Sequence, residues 1–146
     1  MKQDLVVFEG ADGSGKSTLY QAFRRATDYQ ILCIDRWIGS QIVYDHIYGR
    51  PDKMPIWIEE EVKLRDLYQV FLIVCWAPNE VLKNRLAVKA DTIALVGDQY
   101  AKANAGFEVY ARNSYFRHKL LVDTTSTIDE CLKAILELIN KAPKED

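Results

Sequence analysis

No apolar run in the 146-residue chain approaches the roughly 20 residues that a membrane-crossing helix needs. The opening stretch, MKQDLVVFEG, lacks an apolar core followed by a small-residue cleavage site, so no secretory leader is expected and a cytoplasmic protein is. Cysteine is scarce. Cys33, Cys75 and Cys131 are odd in number, widely spaced and set in apolar runs, which argues against a disulfide framework or a zinc cluster and for reduced thiols in a reducing compartment. The two histidines, His46 and His118, have no metal-ligand company in the sequence and read as structural. Charge of one sign is also lacking. A net charge of −2 and an isoelectric point near 5.7 argue against a protein that coats nucleic acid, which requires a basic face.

What is present is an ordinary globular composition, 49% hydrophobic and 27% charged, without repeats or low-complexity tracts. The length suits one domain with at most a small extra lobe. That domain is expected over residues 1–142, with 143–146 as a fraying tail. Continuous apolar runs at Leu5 to Phe8, Ile31 to Ile34, Val70 to Trp76 and Leu120 to Val122 predict strands covered on both faces. Between them, helical spacing recurs at Leu19, Ala22, Phe23 and Ala26. It appears again after Ala77-Pro78-Asn79, at Val81, Leu82, Arg85 and Leu86. Trp37 to Tyr48 is expected to be helical. Gly49 to Pro55 is expected to be a loop, and Ala90 to Phe116 helical with interruptions at Gly97 and Gly106. Thr127 and Glu130 form a capping-box pair opening a last helix with Ile128, Cys131, Leu132, Ile135, Leu136 and Ile139 on one face. Glu59-Glu60-Glu61 reads as a solvated helix face.

Strands alternating with helices predict a three-layer α/β/α sandwich around a mostly parallel sheet of about four to five strands, of the P-loop NTPase type. In such sheets ligands collect at the carboxyl ends of the strands. There the first strand runs into FEGADGSGKST, which satisfies the G-x-x-x-x-G-K-[ST] pattern in full, from Gly10 to Gly15, Lys16 and Ser17. Glycines let successive backbone amides converge on phosphate oxygens, and the helix that follows points its positive end at them. Gly13, Ser14, Gly15, Lys16, Ser17 and Thr18 are therefore the expected ATP-binding residues. Lys16 would bridge the β- and γ-phosphates and the Ser17 hydroxyl would ligate Mg2+.

The second strand ends in Asp35-Arg36. The carboxylate would hold the metal shell or accept a proton from an attacking hydroxyl, and the guanidinium would clamp a second phosphate or steady the transferring one. Lys16, Asp35 and Arg36 are the expected catalytic residues, and Ser17 and Asp35 the expected metal ligands. A hydrolase of this class would carry a second apolar strand ending in aspartate, whereas Val70 to Trp76 ends in Trp76-Ala77-Pro78. A GTPase would need N-K-x-D, and Val88-Lys89-Ala90-Asp91 lacks the asparagine.

Four segments together are similar to the thymidylate kinases, a family of P-loop nucleoside monophosphate kinases: FEGADGSGKST, DRWIGSQIVY, LIVCWAPNEVLKNRL and LLVDTTSTIDECLKAI. The resemblance covers about half of the chain. It implies that Asp12 contacts the acceptor sugar, Arg36 the acceptor phosphate, and Tyr44 or Trp37 the base, while Arg85 lies against the adenine of ATP and Asp35 works with Ser17 around magnesium. The sequence also departs from the family. Only Thr27 to Gln30 separates the first helix from the strand carrying Asp35, where the family places another strand and an arginine-bearing T-R-E-P-G segment. Between Arg85 and Gly97 there is no arginine, Lys89 being the cation there, with Arg112 and Arg117 as later substitutes.

Trp37, Tyr44 and Tyr48 follow at spacings of seven and four, which puts them on one helix face, as core packing or as a stacking wall for a base. The expectation is an ATP- and Mg2+-dependent kinase acting on a nucleotide, such as the deoxynucleoside monophosphate dTMP, working without a membrane as a monomer or homodimer. Two alternatives stand beside it: a P-loop kinase acting on a polynucleotide end, a modified DNA base or a small metabolite, and a nucleotide-binding module without transfer activity.

Overall fold

The computed structural model describes residues 1–88 and 98–146. Its elements alternate as the sequence predicts: β1 (Gln3–Gly10), α1 (Lys16–Ala26), β2 (Leu32–Asp35), α2 (Ile38–Ile47), α3 (Met54–Leu67), β3 (Tyr68–Trp76), α4 (Asn79–Val88), α5 (Gln99–Asn113), β4 (His118–Asp123) and α6 (Ile128–Lys141). The four strands are all parallel, in the order β2-β1-β3-β4. From β1 the chain first moves outward to β2 and then returns past β1 to β3. Such a reversal opens a crevice above the carboxyl end of β1, which is where the glycine loop begins.

Because a strand alternates its side chains, the apolar runs of β1 and β3 feed two cores. Leu5, Val7, Val70, Leu72 and Val74 pack against α2, α4 and α5 through Ile38, Val43, Leu82, Phe107 and Tyr110. Val6, Phe8, Phe71, Ile73 and Cys75 face α1 and α6 through Leu19, Phe23, Cys131, Ile135 and Ile139. The expected three layers are therefore present. The capping box of α6 is present too: the Thr127 hydroxyl accepts from the Glu130 amide at 3.1 Å, and Glu130 accepts from the Thr127 amide.

Three local expectations are corrected. Gly49 to Pro55 is not loop throughout, because α3 starts at Met54 and holds Pro55 in its first turn, where a missing amide costs nothing. Gly106 does not interrupt a helix. It sits inside α5 because a Cβ there would lie 3.0 Å from the Val43 side chain, so its absence lets α5 close on α2. Glu61 is not a solvated residue. Only 2% exposed, it accepts hydrogen bonds from the Tyr110 hydroxyl at 2.6 Å, the Ser114 hydroxyl at 2.8 Å and the Tyr115 amide at 3.0 Å, tying α3 to the end of α5. The remaining expectation for residues 90–97, with the Gly97 break and the lid cation Lys89, lies outside the described residues.

Where the composition of 143–146 suggests fraying, the structure has bonds. The Lys2 amide donates to the Glu145 carbonyl at 2.9 Å, and the Gln69 amide group donates to the Pro143 carbonyl at 2.7 Å. The Glu145 carboxylate takes Lys2 at 3.3 Å and His118 at 3.1 Å. Among the described residues no helix is long and apolar enough to cross a membrane.

Candidate active site

The glycine loop starts where β1 stops. Gly13 and Gly15 have φ of +81° and +83°, a left-handed backbone that L side chains rarely adopt. A Cβ at Gly15 would also lie 3.0 Å from Thr124 and 3.3 Å from Arg85. Gly15 is the N-cap of α1 and no side chain caps that helix. Its first-turn amides therefore face the loop without a side-chain acceptor, an arrangement suited to an anion. Ala11, Asp12, Gly13, Gly15, Lys16, Ser17, Thr18 and Arg36 enclose a small hollow of about 70 Å³ at this point.

Lys16 is 5% exposed and its ammonium forms a close ion pair with Asp35. The sheet register explains the pairing. Phe8 lies opposite Asp35 across the β1–β2 ladder, so β2 ends beside the start of the loop. Ser17 and Thr18 are exposed at the first turn of α1. The Ser17 hydroxyl and the Asp35 carboxylate are hard oxygen donors, and no three His, Cys, Asp or Glu side chains converge among the described residues. That donor set fits magnesium, which keeps water and phosphate oxygens and takes only one or two protein ligands.

Arg85, from α4, donates to the Gly13 carbonyl at 3.0 Å, to the Thr124 hydroxyl at 3.0 Å and to the Thr124 carbonyl at 3.2 Å. The Thr124 hydroxyl in turn donates to the Ser14 carbonyl. Arg85 also lines a cavity of about 490 Å³ with Gly13, Thr18, Val88, Ser126 and Ile128. A planar cation with its edge engaged recognises a flat ring by stacking. Thr124 and Ser126, in the turn between β4 and α6, carried no signal as site residues in the sequence. Only their position after a short strand marks them.

On the other side of the loop, Arg36 donates to Asp12 at 2.6 Å and to the Ser40 hydroxyl at 3.3 Å. Its φ of +68° is left-handed for a residue with a Cβ, a conformation that costs about 1 to 2 kcal/mol. Burial works against the charged guanidinium, but the Tyr44 hydroxyl, Asp12 and Glu9 around it shift its pKa upward overall. Arg36 lies 5.7 Å from the centre of the Tyr44 ring, Tyr44 stacks on Tyr48 at 6.1 Å, and Arg50 lies 5.1 Å from the centre of the Tyr48 ring. These residues, with Asp12, Ser40 and Gln41, line an open cleft of about 350 Å³. The Tyr44 hydroxyl is buried there beside the Arg36 guanidinium without a hydrogen bond of good geometry, and burial and the Asp12 charge push it above the ordinary phenol range. Trp37 sits at the N-cap of α2 and is not among the residues lining the cleft.

Two residues of this region escaped the sequence reading. Arg50 follows the end of α2 in what reads as a loop, and its amide and guanidinium both bond back to Asp45 at 2.8 and 3.1 Å, which sets it beside Tyr48. Glu9, the last side chain of β1, is fully buried. It accepts from the Trp37 and Ser40 amides at 3.1 and 3.0 Å and from the Ser40 hydroxyl at 2.6 Å. Burial raises its pKa, and these bonds oppose the rise.

No family model matches the chain, and no curated protein does. Solved structures do match in fold. YorR protein of Bacillus subtilis in complex with phosphorylated GDP aligns with a TM-score of 0.75 at 20% identity, over 93% of this chain and 95% of that one. Deoxyadenosine kinase from M. mycoides with bound dCTP aligns with a TM-score of 0.70 at 13% identity, over 94% and 100%. A gluconokinase from Sinorhizobium meliloti aligns with a TM-score of 0.57 at 16% identity, over 94% and 92%. At these identities the agreement is one of fold: the chain shares its parallel four-stranded α/β fold with these proteins.

Proposed function

We propose that the protein is an ATP- and magnesium-dependent phosphotransferase that moves the γ-phosphoryl group of ATP onto a nucleotide acceptor, a deoxynucleoside monophosphate such as dTMP. The observation that carries the reading is the Asp12–Arg36 pair. It joins a residue of the phosphate loop to the residue after Asp35, between the hollow at Lys16 and the cleft lined by Tyr44, Tyr48 and Arg50. A carboxylate inside a phosphate-binding loop serves a second substrate better than it serves phosphate.

In this reading the loop amides and Lys16 hold the β- and γ-phosphates, and the Arg85 face stacks on the adenine. Arg36 takes the acceptor's phosphate, with Arg50 near the same cleft, and Asp12 bonds the acceptor sugar. Tyr44 and Tyr48 give the acceptor base an aromatic wall. Ser17 and Asp35 would hold magnesium, whose charge would offset that of the phosphates. Phosphoryl transfer demands little else from a protein than positioning and electrostatic stabilisation. The three free thiols support a reducing, cytoplasmic setting.

The openness of the cleft favours one other acceptor, the end of a polynucleotide, with the same donor half. Labelled ATP offered with deoxynucleoside monophosphates, nucleosides, sugars and oligonucleotides tests both. Transfer to a monophosphate in preference to its nucleoside is expected. Preference for a nucleoside, a sugar or a strand end would overturn the acceptor assignment, and no transfer with tight ATP binding would leave a nucleotide-binding module.

A further inference from the structure

Arg36 has a left-handed backbone and a side chain one-third exposed (33%), and it lies between β2 and α2, in neither element. Trp37, the N-cap of α2, makes no side-chain capping bond. The cap comes from another element. One carboxylate oxygen of Glu9 receives the Trp37 and Ser40 amides, the second of which lies in the first turn of α2. The other oxygen receives the Ser40 hydroxyl, which itself accepts from the Arg36 guanidinium. A continuous chain of hydrogen bonds thus runs Glu9, Ser40, Arg36, Asp12, from the buried end of β1 to the phosphate loop. The Arg36 amide adds a bond to the Phe8 carbonyl at 3.0 Å, so the turn is fixed to β1 on both sides of Arg36.

The surroundings are shaped around that carboxylate. A Cβ at Gly39 would lie 2.8 Å from a Glu9 oxygen and 2.5 Å from the Tyr110 ring, so α2 closes over Glu9 only because residue 39 has no side chain. A carboxylate at the carboxyl end of an otherwise apolar strand, with no exposure and no partner cation in contact, is costly to bury. Glu9 makes three hydrogen bonds to the α2 turn and none to the Lys16 and Asp35 pair.

We propose that Glu9 is a positioning residue, whose buried carboxylate holds the Arg36 turn and, through Ser40, the guanidinium itself, so that an acceptor phosphate meets an arginine already in place. This rests on the assignment of Arg36 to the acceptor phosphate. Glu9 touches no substrate. It removes the reorganisation that a free arginine on a strained turn would require at each encounter.

The test combines steady-state kinetics with amide exchange. Glu9→Gln, which keeps the shape but cannot accept on both sides, should lower kcat/KM for the acceptor by about tenfold or more while ATP affinity stays within about twofold. In an Arg36→Ala background the same change should cost nothing further, because the residue it positions is gone. An unaltered acceptor kcat/KM, or an equal loss in both backgrounds, overturns the proposal. Exchange at the Trp37 and Ser40 amides needs no substrate. In Glu9→Ala, or in Glu9→Gln if the alanine variant does not fold, it should accelerate about tenfold relative to β3 amides, and unchanged exchange overturns the proposal. Retained coupling of these amides to Glu9, together with no transfer to any acceptor, would instead overturn the phosphotransferase reading alone.

Discussion

The ion pair between Lys16 and Asp35 creates a competition that phosphate must enter. Lys16 is nearly buried, and among the described residues the anion paired with its ammonium is Asp35. Asp35→Asn should therefore tighten metal-free nucleotide binding several-fold, since the ammonium is released and a negative charge beside the phosphates is lost. Turnover should fall by about two orders of magnitude, since the proposed metal and proton roles go with it. Calorimetry and initial rates check the two directions together. Asp12 makes a different demand. Asp12→Ala should raise the acceptor KM about tenfold by freeing Arg36 and removing the proposed sugar contact, and should leave ATP affinity unchanged. Some of this was legible in the residues themselves, because the glycines, Lys16 and Ser17 carry their chemistry in their spacing. Arg50 and Thr124 were not. Arg50 reaches the cleft through a local turn that bonds it to Asp45 at the end of α2, and Thr124 reaches Arg85 only through tertiary folding, so neither carries a site pattern of its own.

At the scale of elements, two buried carboxylates do work that apolar patterning does not describe. Glu9 caps α2 from β1, and Glu61 joins α3 to the end of α5 through Tyr110, Ser114 and Tyr115. Glu61→Ala should destabilise by about 2 to 4 kcal/mol, since it leaves the buried Tyr110 and Ser114 hydroxyls without an acceptor. Gly39→Ala should cost about 1 to 3 kcal/mol by overpacking against the Tyr110 ring. Denaturant midpoints measure both. The strands and α6 were readable because burial on both faces writes a continuous apolar run, and a capping box writes its own signature. The nature of α3 was hidden, since its decisive residue sits in a triple-glutamate run that looks solvated until α5 is placed against it.

Across the whole molecule, the chain ends are bound together. Glu145 gathers Lys2, His118 and Arg117, and although burial pushes its carboxyl up, the bonds from His118 and Lys2 bring its pKa below the ordinary value of 4.5. A carboxylate with a lowered folded pKa contributes stability above its unfolded pKa and loses it as pH falls through the folded value. Glu145→Gln should therefore lower Tm at neutral pH by a few degrees, and the difference should close as pH falls well below 4.5. Glu9 runs the other way. Its raised pKa makes the folded state hold its proton longer, so its contribution weakens as pH rises from 4.5. The Cys75 thiol within one of the cores is pushed up to about 12 by burial and stays protonated.

The fold converges on one crevice: β1 leads into the loop, β2 ends at Asp35 with Arg36 next, and the turn after β4 supplies Thr124 and Ser126 to the cavity beside Arg85. The most direct test of its use is the transfer of labelled γ-phosphoryl from ATP to dTMP by the wild-type chain and by Lys16→Ala, with folding of both followed by circular dichroism. The account predicts magnesium-dependent transfer by the wild type and a loss of at least about a thousandfold in a fully folded Lys16→Ala. Full activity in Lys16→Ala would contradict it.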